Sequence, residues 1–181
     1  ITPDYAYGHT IQAAYAKILA KAGGTVLGNS LTPLGATDFS SYLIAAQAFS
    51  PDMIKVGRGS IIHIASIAGI STQPRSGAYS ASKAGVLQLS KQLALEWGPH
   101  GVRSNAILPG LIRTPLSAAF YENREFEEKR KALVPARRIG EPDDVAQAVL
   151  FLASDRASYV NGAEILVELV PLTDVDRVGG S

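Results

Sequence analysis

Ser66 to Lys83 reads SIAGISTQPRSGAYSASK, and the fold follows from what flanks it. Before it, Ser60-Ile61-Ile62-His63-Ile64-Ala65 is short, apolar and β-branched, the pattern of a buried strand. After it, Val86, Leu89, Leu93 and Trp97 recur at three- and four-residue spacing and predict a helix over 79–97. Ser66 therefore falls at the carboxyl end of a strand, where open α/β sheets bind ligands. Tyr79 and Lys83 stand four residues apart on the helix that follows, so their side chains share a face.

The same alternation continues in both directions. Strands are expected to end at Ile1-Thr2 and to cover 25–27, 102–108 and 164–170. Helices are expected over 7–22, through Phe39, Leu43 and Ala46 towards Pro51, once or twice within 115–132, and from Pro142 to Ala153. Residues 28–36, with Pro33 and Gly35, read as a loop. About five strands alternating with helices imply one α/β domain over 1–170: a doubly wound, mostly parallel sheet in a Rossmann-like or flavodoxin-like three-layer sandwich. The stretch 171–181 reads as a tail or linker.

Composition narrows the function classes. The chain has 181 residues, 46% of them hydrophobic, and a net charge of +1, which gives no electrostatic footprint for nucleic acid or an anionic membrane. No apolar run reaches membrane-spanning length and no signal peptide opens the chain, so a cytoplasmic monomer or small homo-oligomer is expected. There is no cysteine, which removes disulfides, thiolate nucleophiles and cysteine metal sites. His9, His63 and His100 are scattered without ligand spacing, so no metal is expected, and His63 reads as a core residue.

Ser66, Tyr79 and Lys83 suit one chemistry. A phenol ionises near pH 10 and is a poor proton donor or acceptor at neutrality, but an ammonium one turn away favours the phenolate. A strand-end serine can hydrogen-bond a carbonyl or an alcohol. Such a proton relay is worth roughly 10²–10⁴ in rate.

The motifs resemble the short-chain dehydrogenase/reductase family from about residue 47 to 167: GRGSIIHIASIAG, AYSASKAGV, VRSNAILPG, PGLIRTP, RIGEPDDVAQAVLFLAS and NGAEILV. The resemblance implies that Ser66, Tyr79 and Lys83 are catalytic. It also implies that Lys83 holds the nicotinamide ribose, and that Pro109, Gly110, Ile112 and Thr114 line the nicotinamide. Two family features are absent from the sequence: the Thr-Gly-x-x-x-Gly-x-Gly phosphate loop and the Asn-Asn-Ala-Gly stretch. Residues 1 to about 46 resemble instead a lobe of a branched-chain amino-acid-type periplasmic binding protein. Tyr7-Gly8, Gly23-Gly24 and PLGATDF carry that likeness, and Tyr7 matches the position that contacts ligand in such proteins, but Tyr5 and Tyr7 read here as half-buried aromatics at a helix entrance. The two resemblances meet near residues 44–49, within an expected helix. Together they imply an engineered chimera without efficient turnover and with no bound cofactor. The alternatives are an NAD(P)-dependent reductase acting on a carbonyl or alcohol, and an amino-acid-binding module.

Overall fold

The computed structural model describes residues 2–4, 6–21, 23, 31–33, 48, 50–71, 76–118 and 121–170. Its first elements are β1 (Thr2–Asp4), α1 (Ala6–Lys21), β2 (Leu31–Pro33) and a helical stretch over 50–56, here α2. They are followed by β3 (Gly59–Ile64), α3 (Ala78–Trp97), β4 (Val102–Pro109), α4 (Pro115–Ala118), α5 (Arg124–Leu133), α6 (Pro142–Ala153) and β5 (Glu164–Val167).

Every strand pair is parallel. β3, β4 and β5 lie side by side in that order, with Gly59 opposite Val102 and Ala106 opposite Glu164. β1 and β2 form a second pair, Thr2 opposite Leu31. Parallel neighbours need long crossovers, and the helices supply them: α3 links β3 to β4, and α4–α6 link β4 to β5.

β4 fixes the layers. Its Ala106 and Leu108 join Ala65, Val86 and Leu87 in one apolar cluster on the α3 side. Ile107, one residue out of phase, joins Ile64, Val145, Val149 and Leu152 on the α6 side. α1 lies on this second face through Ala14, Ala16, Ile18 and Leu19. A central strand covered on both faces must be apolar throughout or have its polar groups paired. Asn105 meets the second condition: it is fully buried, donates to the Val160 carbonyl at 2.9 Å and accepts from the Ala163 N–H at 2.9 Å.

Most expected elements appear within a residue or two. α6 starts at Pro142, with Asp143 and Asp144 in its first turn, and Asp144 accepts the Glu141 N–H at 2.7 Å. In α3 the buried stripe is Val86, Leu87, Ser90, Leu93 and Ala94, while Leu89 and Trp97 are half-buried, so the apolar face is wider than the expected one and partly polar. The amino-terminal edge of the sheet turns on Gly101, at φ +77°, where a Cβ would collide with the Gly57 carbonyl.

Three expectations are corrected. Pro3 and Asp4 belong to β1 rather than leading out of it, since they pair with Thr32 and Pro33. Leu31–Pro33, read as loop, is β2, because pairing with β1 overrides local turn chemistry. The last strand ends at Val167 and not at Val170, because Glu168 takes a left-handed φ of +68°. The strand expected at 25–27, the helix through Phe39, Leu43 and Ala46, and the tail 171–181 lie outside the described residues.

Candidate active site

Parallel strands converge their carboxyl ends on one edge of the sheet, and the sequence-predicted residues gather there. Ser66 follows β3 by two residues, and its Oγ accepts the Ala68 N–H at 3.2 Å, opening a 3-10 turn over Ile67–Gly69. That turn lies directly on α3. A Cβ on Gly69 would come 3.0 Å from the Lys83 carbonyl carbon and 3.1 Å from the Ala84 nitrogen, so the missing side chain lets the Ser66 turn reach the Lys83 level of the helix.

α3 begins after Gly77, at φ +50°, and carries half-buried Tyr79 in its first turn. Lys83 lies one turn on and is 5% exposed. Its Nζ stands 5.7 Å from the centre of the Tyr79 ring and donates to the Ile64 carbonyl at 3.4 Å. Burial pushes the amine down to about 8. An ammonium carries three donors, and among the described residues Ile64 is the one acceptor it finds, so two donors remain for something else. The Tyr79 hydroxyl likewise has no hydrogen-bond partner among the described residues, although its backbone carbonyl accepts from Ser82 Oγ at 2.7 Å.

The second predicted group lines the loop after β4. Pro109 pairs with Val167, and the Gly110 N–H donates to the Val167 carbonyl at 3.0 Å. Ile112 and Thr114 are each 5% exposed. Ile112 packs into the α6 cluster, and Thr114 Oγ1 lies 3.2 Å from Ser117 Oγ. This loop is tied down at Gly140, which accepts the Arg113 N–H at 2.7 Å and donates to the Leu111 carbonyl at 2.9 Å.

Two features beneath the site were not legible in the sequence. His63 is a core residue, as expected, but only half satisfied. Its Nε2 lies 3.1 Å from Ser104 Oγ, its Nδ1 has no partner among the described residues, and burial pushes its pKa down to about 3. The chain continues to Ser90 on α3, with Ser90 Oγ 3.4 Å from Ser104 Oγ, linking the strand of Ser66 to the helix of Tyr79 and Lys83. The other is the Ile64 carbonyl, a backbone group that no motif could reveal.

Parallel strands, a strand-end serine and a Tyr–Lys pair on the next helix define a Rossmann-like α/β protein with its candidate site at the carboxyl edge. A family model described as enoyl-(acyl carrier protein) reductase matches residues 13–169. The chain belongs to the short-chain dehydrogenase/reductase family. It is 37% identical over 133 residues to 2-(R)-hydroxypropyl-CoM dehydrogenase of Xanthobacter autotrophicus, covering 74% of this chain and 53% of that one. It is 40% identical over 124 residues to human dehydrogenase/reductase SDR family member 4, covering 68% and 45%. A solved structure from Agrobacterium tumefaciens, a candidate 2-deoxy-D-gluconate 3-dehydrogenase with bound NADP, matches with a TM-score of 0.65 and 35% identity over 70% of this chain and 52% of that one. The chain thus spans about half the length of the curated relatives it matches.

The chimera expectation finds no support in these findings. The family match, bounded by residues 13 and 169, takes in most of the stretch assigned to a binding-protein lobe and the expected join at 44–49. That likeness rested on Tyr7-Gly8, Gly23-Gly24 and PLGATDF. The expectation of no bound cofactor finds no support either, since a structural relative holds NADP. No helix among the described residues is long and apolar enough to cross a membrane.

Proposed function

We propose that this chain is the catalytic part of an NAD(P)-dependent oxidoreductase that interconverts a carbonyl and an alcohol. The observation that carries the reading is the Lys83 amine: buried, beside the Tyr79 ring, and with two donors unmatched. A polar group kept underpaired in the interior costs stability, so its retention argues for a ligand that completes it. A ribose diol offers two hydroxyl acceptors of the right kind, and the nicotinamide–ribose end of the cofactor fits these residues.

In this reading the cofactor, when bound, supplies or removes the hydride. Lys83 holds the ribose and keeps positive charge beside Tyr79. Tyr79 passes its phenolic proton to the carbonyl oxygen in the reducing direction and takes it back in the other. Ser66, whose hydroxyl proton is uncommitted among the described residues, donates to the same oxygen and orients it. Pro109, Gly110, Ile112 and Thr114, on the loop after β4, would line the nicotinamide end of the cofactor.

The test is carbonyl-dependent oxidation of NADPH and NADH by the wild-type chain and by Tyr79→Phe. The reading expects turnover that falls about 10²-fold or more in kcat/KM in the variant. Turnover unaffected by Tyr79→Phe refutes the assignment.

A further inference from the structure

Where α3 meets the sheet the contact is mostly apolar, through Ala65, Val86, Leu87, Ala106 and Leu108. Beneath the Lys83 level it changes character. His63 of β3, Ser104 of β4 and Ser90 of α3 are each no more than 1% exposed and form one polar chain. His63 Nε2 lies 3.1 Å from Ser104 Oγ, which lies 3.4 Å from Ser90 Oγ. His63 Nδ1 has no partner among the described residues. A buried polar chain one partner short costs stability that an apolar layer would not. What it adds in return is direction.

Apolar contact is non-directional, so alone it leaves a helix free to settle a fraction of a turn up or down the sheet. Hydrogen bonds have narrow geometry and fix the height. Ser90 stands seven residues after Lys83, close to two full turns, so both lie on the buried stripe of α3, about 10 Å apart. On β3 the two points of attachment are consecutive residues. Lys83 Nζ donates to the Ile64 carbonyl at 3.4 Å, and His63 begins the chain that ends at Ser90. A slide of about 1 Å along α3 would move the Lys83 amine off Ile64 and Tyr79 relative to Ser66, a misplacement large enough to cost a catalyst most of its rate.

We propose that His63 is a positioning residue: through Ser104 and Ser90 it sets the height of α3 on the sheet, and with it the place of the Lys83 amine beside Tyr79. The consequence for turnover rests on the function proposed above; the placement of the amine is tested without it.

The test follows the titration of the Lys83 amine by NMR of the whole chain, with lysine carbon-13 labelled at Cε and the Lys83 signal identified by its loss in Lys83→Met. Wild type, Ser90→Ala, His63→Leu and His63→Gln are compared. Ser90→Ala removes the last link with little risk to folding, since alanine is the better helix former. Wild type should titrate at about 8. In Ser90→Ala and His63→Leu the midpoint should rise by about 0.5 or more, as an amine no longer held at one height reaches water. His63→Gln, whose side-chain amide can still donate to Ser104, should stay close to wild type. In turnover assays Ser90→Ala should lower kcat about tenfold with KM for the carbonyl substrate nearly kept. A midpoint unchanged in both Ser90→Ala and His63→Leu overturns the proposal and makes the chain a stabiliser of the core. So does a midpoint in His63→Gln displaced as far as in His63→Leu. A wild-type chain with no turnover refutes the site reading, while the amine titration still decides the positioning.

Discussion

Replacing Lys83 with methionine should make this protein more stable at neutral pH. The amine is 5% exposed and burial lowers its pKa from 10.5 to about 8. At pH 7 it is still mostly protonated, so the native state carries the cost of a buried charge that one carbonyl at 3.4 Å offsets only in part. A displacement of that size corresponds to about 3 kcal/mol. The sign follows from proton binding. Between about pH 8 and 10.5 the unfolded chain keeps a proton that the native chain gives up, so the penalty is constant below 8 and is relieved as the pH rises towards 10.5. Lys83→Met removes charge and titration together, and methionine fills a similar volume. Urea denaturation at pH 7 should show the variant ahead by roughly 1–3 kcal/mol, a lead that closes as wild type is taken to pH 10.5. A variant less stable than wild type at pH 7, or a difference that does not change with pH, refutes the argument. A stabilising substitution at a site residue is the pattern expected where function and stability conflict.

Three further outcomes follow from the same interior. His63, depressed to about 3, leaves the native state short of a proton that the unfolded chain binds, so stability is full above pH 6.5 and falls as the pH drops towards 3, by up to about 5 kcal/mol; His63→Leu should move the acid-unfolding midpoint down, as followed by circular dichroism. Asn105→Ala strands the Val160 carbonyl and the Ala163 N–H inside the protein and should cost about 2–4 kcal/mol in urea titration. Tyr79→Phe removes a hydroxyl without a partner among the described residues and should change stability by less than about 0.5 kcal/mol in thermal melts, separating a site residue from a core one.

Fold and site were legible to different depths. The strand before Ser66, the helix of Tyr79 and Lys83, the long central strand and α6 all announce themselves locally: β-branched runs, three-four spacing, and Pro142 with two aspartates behind it. The strand at Leu31–Pro33 does not, because its reason for being extended is a partner strand far back in the sequence. Helix spacing and a glycine stop are common in parallel α/β folds and do not by themselves tell one such family from another. The site shows the same division. Residue types at fixed offsets named Ser66, Tyr79 and Lys83, but not that the lysine is buried, that a backbone carbonyl receives it, or that His63 reaches α3 through Ser104 and Ser90. Arg113 was visible within PGLIRTP, yet nothing local shows that it meets Glu127 at 2.6 Å, Glu141 at 3.3 Å and the Tyr121 ring at 4.9 Å.

Under the proposed function, the buried Lys83 amine completes a nicotinamide–ribose site. Calorimetric titration of NADPH and NADH into wild type and Lys83→Met tests it most directly. The expected result is saturable binding to wild type, on the order of micromolar, weakened about tenfold or more in the variant even though the variant is the more stable protein. Equal affinity in the two proteins, or no binding to wild type at millimolar cofactor, contradicts it.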